Sequence, residues 1–282
     1  MKQLHVVIAG MSAVSITATA LAVAALGGPE TGEARVGNTG QERVSRSASD
    51  FHWSGRVGAG DAVEIKGVNG DVSVERASGR DVVVTADVRG PRSNPETVRI
   101  EMVEHAGGLT FCAVYSTPEG KRENSCGVGD KGRLSTVSNH VTVNFLVELP
   151  ADVRFVSRIV NGDVDAFDLG SDIEANTVNG DIAISTTGFA AAETVNGSIE
   201  AEMGARDLLN DIVFSTVNGS ITLDLHDAVD ADVDASWLNG SFESAMPLTL
   251  EGRMSRRSAR GTLGDGGPHI ELKTVNGSIR IH

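Results

Sequence analysis

The dipeptide Asn-Gly occurs seven times in this chain of 282 residues, nearly always inside one short phrase. Asn69-Gly70, Asn161-Gly162, Asn179-Gly180, Asn196-Gly197, Asn218-Gly219, Asn239-Gly240 and Asn276-Gly277 each follow Val or Leu. Each precedes Asp or Ser and then Val, Ile or Phe. Asn and Gly both tolerate positive φ, so the pair suits turns that bend or reverse a β-chain. One copy predicts a hairpin, whereas seven copies of one phrase predict stacked repeats.

Aligned on the Asn, the copies share apolar residues just before it and at the third and usually fifth positions after it. Examples are Val178, Ile182 and Ile184, or Val217, Ile221 and Leu223. The positions between them carry Ala183 and Thr222. This period of two marks a strand with one buried face, leaving an Asn-Gly corner. From Asn161 to Asn239 the intervals are 18, 17, 22 and 21 residues. A unit of about 20 residues is too short for a propeller blade of roughly 40, and the leucine-rich pattern is absent. The remaining architecture is an all-β, single-domain β-solenoid whose coils of about 17–22 residues pair in register at about 4.8 Å. Stacking places like residues over like, so the seven Asn side chains are expected to form one amide ladder. A column of Asp would repel itself. The corner Asn residues are expected to be partly buried, with Ala at one of them costing about 1–2 kcal/mol through the lost left-handed conformation.

The front half is less regular. Val63–Val74 reads as a hairpin or first coil, and Asp81–Val88, Val98–Val103, Leu109–Tyr115 and Val141–Leu149 read as strands. The distance from Asn69 to Asn161 fits several elaborated coils. The gap from Asn239 to Asn276 fits one coil with an Arg-rich excursion at Arg253–Arg260.

The ends and the charge bound the setting. Residues 1–28 carry a basic start, an apolar run and a Gly-Gly break, the pattern of a cleaved signal peptide or a retained N-terminal membrane anchor. Residues 29–50 are polar and read as a flexible linker, leaving 51–282 as the folded domain. A net charge of −14 argues against nucleic acid, whose phosphates select Lys and Arg. Cys112 and Cys126 are the only cysteines, and in an exported chain they are expected to form a disulfide worth roughly 3 kcal/mol.

Motifs for chemistry are sparse. Gly127, Gly129 and Gly132 match a dinucleotide fingerprint in letters but lack its strand–helix context, so they read as a Gly-rich loop. Asp224, Asp227, Asp230, Asp232 and Asp234 form an acidic run that could hold Ca²⁺, although a solvated strand face is the simpler reading. The His residues are scattered and suggest no zinc site. Four corners form Asn-x-Ser sequons, but the turns already require those letters. Trp53, Tyr115 and Trp237 read as core or end-cap residues rather than sugar platforms. No cofactor, metal or catalytic residue is expected.

The repeated phrase, the Phe51-His52-Trp53 opening before Val63-Glu64-Ile65 and the export signal together resemble the bacterial putative-adhesin families of exported β-solenoid head domains. The resemblance covers roughly Phe51 to His282. It implies a solenoid displayed in the cell envelope or outside the cell, with an adhesive or scaffolding role, an unidentified surface protein or polysaccharide as partner, and no catalytic residues. Two other readings stay open: a polysaccharide-acting β-solenoid enzyme, marked by carboxylates gathered with Arg in a lateral groove, and an envelope sensor or regulatory partner.

Overall fold

The computed structural model describes residues 43–47, 51–204, 210–225, 229–250 and 255–282. Residues 1–39 and 40–282 fall into two units, and every described residue lies in the second. The expected signal or anchor therefore lies outside the described residues. No helix among the described residues is long and apolar enough to cross a membrane.

The chain is built almost wholly of strands. Arg43–Ser47 (β1), inside the stretch read as linker, and Phe51–Gly55 (β2) come first. Ala62–Lys66 (β3) and Val72–Arg76 (β4) flank the first Asn-Gly. Val82–Arg89 (β5), Val98–His105 (β6), Gly108–Tyr115 (β7) and Thr142–Leu149 (β8) make up the irregular front half. The regular part holds Arg154–Arg158 (β9), Val164–Leu169 (β10), Ile173–Asn176 (β11) and Ile182–Thr186 (β12). Ala190–Glu193 (β13), Ile199–Met203 (β14), Ile212–Asn218 (β15) and Ile221–Leu225 (β16) continue it. Ala231–Asn239 (β17), Phe242–Ser244 (β18), Thr249–Leu250 (β19), Ser258–Leu263 (β20), His269–Asn276 (β21) and Ile279–Ile281 (β22) follow.

Each Asn-Gly joins a strand of one sheet to a strand of a second, so one coil is a strand, a corner and a strand. This is a β-solenoid. The first sheet runs β1-β6-β7-β3-β9-β11-β13-β15-β21-β17-β20-β19, and the second runs β18-β22-β16-β14-β12-β10-β4-β8-β5-β2. The coils pair parallel and in register: Ile182 lies beside Ile199, Ile199 beside Ile221, and Ile221 beside Ile279. These columns and those of Phe155, Ala175, Ala192 and Phe214 from the first sheet fill the space between the sheets. Alternation supplies the buried face, and parallel stacking repeats it down the rod.

Coil order in space departs from sequence order at both ends. The chain enters at the second coil (β3/β4), moves out to the first (β7/β8), and returns to the third (β9/β10). The span from Asn69 to Asn161 thus holds one coil rather than several, and antiparallel strands occupy the rest: β6 on β7 with β1 beyond it, and β5 on β8 with β2 beyond it. At the far end β17/β18 leaves a vacant seat beside β15/β16, which the last pair, β21/β22, fills. The gap after Asn239 therefore holds no extra coil. It holds the antiparallel pair β19 and β20 laid on β17, and residues 253–254 of the Arg-rich stretch lie outside the described residues. Antiparallel additions close parallel edges that would otherwise stay open, and seating the C-terminal strands between neighbours ties down an end prone to fray.

The corners also depart from expectation in three respects. Six of the seven Asn residues are exposed, with Asn69 half-buried. None of the seven has positive φ, so a left-handed Asn does not make the turn. The residue before Asn faces outward in the later coils, with Val217, Val275 and Leu238 38%, 37% and 45% exposed. The physical reason lies in Gly. A Cβ on Gly180, Gly197, Gly219 or Gly277 would sit 1.9 Å from the carbonyl oxygen of the Gly one coil below. Close backbone approach between stacked corners demands Gly, which frees Asn to lie on the surface.

Candidate functional site

Two features stand out from the plain rod: the corner strip and a loop clasped against one face. In the strip, the Nδ2 of every Asn except Asn69 donates to the Asn Oδ1 of a neighbouring coil. Asn161 donates to Asn69 (2.9 Å), Asn179 to Asn161 (2.8 Å), Asn196 to Asn179 (2.8 Å) and Asn218 to Asn196 (2.8 Å). Asn276 then donates to Asn218 (2.7 Å) and Asn239 to Asn276 (2.8 Å). All seven expected residues form one column, in the order 69, 161, 179, 196, 218, 276, 239.

Two further files run beside it that the sequence reading passed over. Thr177, Thr194, Thr216 and Thr274 each donate from Oγ1 to a Gly carbonyl of the coil below, at 2.8–3.0 Å. The signal was present, since Thr recurs two positions before Asn in four copies. On the other side, Asp71 accepts from the backbone N–H of Asp163 (3.0 Å), Asp163 from Asp181 (2.8 Å) and Asp181 from Ser198 (2.7 Å). Carboxylates do stack here, because each is held by an N–H of the next coil and stays exposed. Their charge is felt nearby: burial, aided by Asp163, Asp71 and Asp181, pushes the Asp165 carboxyl up.

The clasp lies over the outer face of the first sheet. Cys112 on β7 bonds Cys126, with Cα atoms 5.6 Å apart, and so anchors the loop between β7 and β8. The Gly-rich segment of that loop folds back onto Lys66. The Lys66 ammonium donates to the carbonyls of Gly127 (2.7 Å), Gly129 (2.6 Å) and Lys131 (2.8 Å). The carbonyls of Gly127, Gly129 and Lys131 thus form a cradle for a lysine, and Gly132 packs against the backbone of Gly127. Burial pushes Lys66 below the usual lysine range, with Glu64 opposing the shift. Buried Glu64 accepts from Thr110 Oγ1 (2.8 Å), Gly129 N–H (3.0 Å) and Arg158 Nε (3.1 Å). Arg158 also pairs with Glu174 at 2.8 Å and reaches Asp130 at 3.6 Å. Between loop and sheet lies a cleft of about 260 Å³ lined by Lys66, Asp130, Lys131, Arg133, Arg158 and Val160, among others.

Sequence reasoning missed Glu64, Lys66 and Arg158. They alternate with the core residues of β3 and β9, and their burial comes from a loop whose path the sequence does not disclose.

The remaining candidates are placed as follows. Asp224 is on the second sheet, away from Asp230, Asp232 and Asp234, and Asp227 lies outside the described residues. Asp230 accepts from Asp265 N–H and Asp232 from Thr262 Oγ1, while Asp234 pairs with Arg260. No group of three His, Cys, Asp or Glu suited to a metal occurs among the described residues. Tyr115 is buried and donates to the Val141 carbonyl at 3.0 Å, and burial pushes its phenol up to about 12. Trp53 meets Phe111 edge-on at 5.3 Å near the front end, and Trp237 stacks on Phe242 at 5.7 Å near the far end.

Comparison with known proteins finds a family match in the regular part. Residues 157–282 match the family described as Toastrack DUF4097. No curated protein matches the chain. Among solved structures, a putative cell adhesion protein from Clostridium sporogenes ATCC 15579 is similar at 9% identity and a TM-score of 0.41, covering 82% of this chain and 98% of that one. A putative adhesin from Bacteroides fragilis NCTC 9343 is similar at 11% identity and a TM-score of 0.26, covering 86% and 99%. Likeness of that degree assigns no activity to this chain. Beside the resemblance drawn from the Val-Asn-Gly-Asp/Ser-Ile phrase, residues 157–282 of the solenoid are similar to the Toastrack DUF4097 family.

Proposed function

We propose that the chain is a non-catalytic, adhesin-like protein of the cell envelope, whose rigid solenoid presents an elongated surface to a surface protein or polysaccharide. The observation that carries this reading is the state of the Glu64–Lys66–Arg158 cluster. Carboxylates do gather with Lys and Arg there, as in a lateral groove of a polysaccharide-acting enzyme. Yet Lys66 is held by three carbonyls, and Glu64 by three donors. Arg158 is shared among Glu64, Glu174 and Asp130. Groups so occupied serve as a clasp and are poorly placed to move a proton to a substrate. The Cys112–Cys126 bond supports an oxidising, exported setting.

One observation favours the enzymatic alternative. The cleft beside the clasp opens next to Asp130, whose side chain is 88% exposed, and is lined by Lys131 and Arg133. The deciding experiment applies the secreted domain to a glycan and surface-protein array and, in parallel, to acidic polysaccharides with reducing-end detection. Retention on an array member without chain cleavage is the expected result. Release of oligosaccharides, abolished by Asp130→Asn, would replace the proposal with the enzyme.

A further inference from the structure

The seven corners share one chemistry but not one environment. In six of them the Gly backbone N–H is tied to the next coil. Gly70 donates to the Asn161 carbonyl (2.9 Å), Gly162 to Asn179 (2.9 Å) and Gly180 to Asn196 (3.0 Å). Gly197 donates to Asn218 (3.0 Å), Gly219 to Asn276 (3.0 Å) and Gly277 to Asn239 (2.9 Å). Gly240 has no coil above it, because β18 is the edge of the second sheet. Its N–H meets no acceptor among the described residues, and the Oδ1 of Asn239 accepts from none. Asn239 and Gly240 are both exposed.

We propose that Asn239 is a site of covalent self-modification, its side-chain amide being attacked by the backbone nitrogen of Gly240. The Gly240 nitrogen bonds to Asn239 Cγ while the Cγ–Nδ2 bond breaks, and Nδ2 leaves as ammonia carrying the proton that the Gly240 nitrogen gives up. A five-membered succinimide results. Water then adds at one of its two carbonyls and opens it to aspartate or isoaspartate. The only co-reactant is water, which reaches this exposed corner freely. At the other corners the attacking nitrogen is held in an inter-coil hydrogen bond, and at all of them but Asn69 the amide is locked in the ladder on both sides, whereas that of Asn239 is held on one side only. Attack there requires the stack to open first.

The modification has a structural consequence. It replaces the amide that donates to Asn276 with a carboxylate facing the Asn276 carbonyl oxygen. In the isoaspartate form it also lengthens the main chain between β17 and β18. Either change loosens β18 from β22 and frees the Gly277 N–H that Asn239 had accepted. Asn276 then becomes the exposed corner. Modification therefore advances in spatial order, from Asn239 to Asn276 to Asn218, although Asn218 precedes Asn239 in the chain.

The test uses the intact chain, held at mildly alkaline pH, sampled over time and digested with trypsin for peptide mapping. The peptide 207–253 contains both Asn218 and Asn239, each followed by Gly-Ser, so one molecule supplies its own control. In the folded protein Asn239 is expected to convert at least about tenfold faster than Asn218, the factor for opening roughly one hydrogen bond. In denaturant the two rates are expected to converge. Equal rates in the folded protein would overturn the proposal. So would a preference for Asn239 that persists in denaturant, since local sequence rather than stacking would then set it.

Discussion

Placing a methyl group on a corner glycine should damage this fold more than removing a corner amide, and Gly197→Ala is the sharpest case. Its Cβ would lie 1.9 Å from the Gly180 carbonyl oxygen and 2.5 Å from the carbonyl carbon, short by about 1 Å of the closest approach real Cβ atoms make. The atoms it meets are backbone, so the two coils must part. Five hydrogen bonds cross that corner: Gly180 N–H to Asn196 O (3.0 Å), Asn196 N–H to Val178 O (2.8 Å), Asn196 Nδ2 to Asn179 Oδ1 (2.8 Å), Ser198 N–H to Asp181 (2.7 Å) and Thr194 Oγ1 to Gly180 O (3.0 Å). At about 1 kcal/mol each, losing three to five of them costs on the order of 3–5 kcal/mol. That is a large share of the ~5–15 kcal/mol that typically separates folded from unfolded. Asn196→Ala removes only two exposed amide bonds, to Asn179 and from Asn218, and should cost about 1 kcal/mol. Urea unfolding followed by Trp fluorescence and by far-ultraviolet circular dichroism measures both. If Gly197→Ala shifts the midpoint no more than Asn196→Ala, close stacking is not what fixes these glycines.

Three further outcomes follow from the same geometry. Tyr115 is the sole tyrosine, so alkaline difference absorbance reads it alone, and the midpoint should fall near 12. Its folded value lies above the unfolded value of about 10, so stability is full below pH 10 and falls by about 3 kcal/mol as pH rises toward 12; a midpoint near 10 would contradict its burial. Replacing Cys112 and Cys126 with Ser should cost roughly 3 kcal/mol in thermal or urea unfolding, and reducing agent should reproduce the loss in the wild type. Lys66→Met should free the Gly-rich segment, speeding tryptic cleavage after Lys131 and Arg133 and destabilising the domain by about 3 kcal/mol; an unchanged cleavage rate would remove Lys66 from the clasp.

Much of the fold was legible in the sequence because stacking repeats its own constraints. The phrase around each Asn-Gly located the corners, alternation located the buried face, and a unit near 20 residues pointed to a solenoid. The same logic misjudged why the phrase persists. Its Gly answers to a carbonyl one coil away, a contact invisible along the chain, and so its Asn need be neither buried nor left-handed. Coil order was not legible, because Asn276 pairs with Asn218 and Asn239 equally well by chemistry. The antiparallel strands β19 and β20 lie between β18 and β21 in the chain, and β21 then sits between β15 and β17. The clasp was hidden for a similar reason. Lys66 and Glu64 alternate as an exposed face would, and the loop that buries them lies 60 and more residues further along the chain.

The central claim is that the last coil is inserted between the two that precede it. Paired cysteine substitutions on the outer face of the second sheet test it directly. Thr222 and Arg280 are lateral neighbours on β16 and β22, and Glu243 on β18 lies beyond Arg280. Adjacent strands stand about 4.8 Å apart, within disulfide reach, whereas two strand spacings are about 9–10 Å and outside it. Mild oxidation should therefore cross-link the Thr222→Cys/Arg280→Cys protein and leave Thr222→Cys/Glu243→Cys uncrosslinked. Cross-linking of the second pair and not the first would mean that the coils stack in sequence order, and the inserted coil would be wrong.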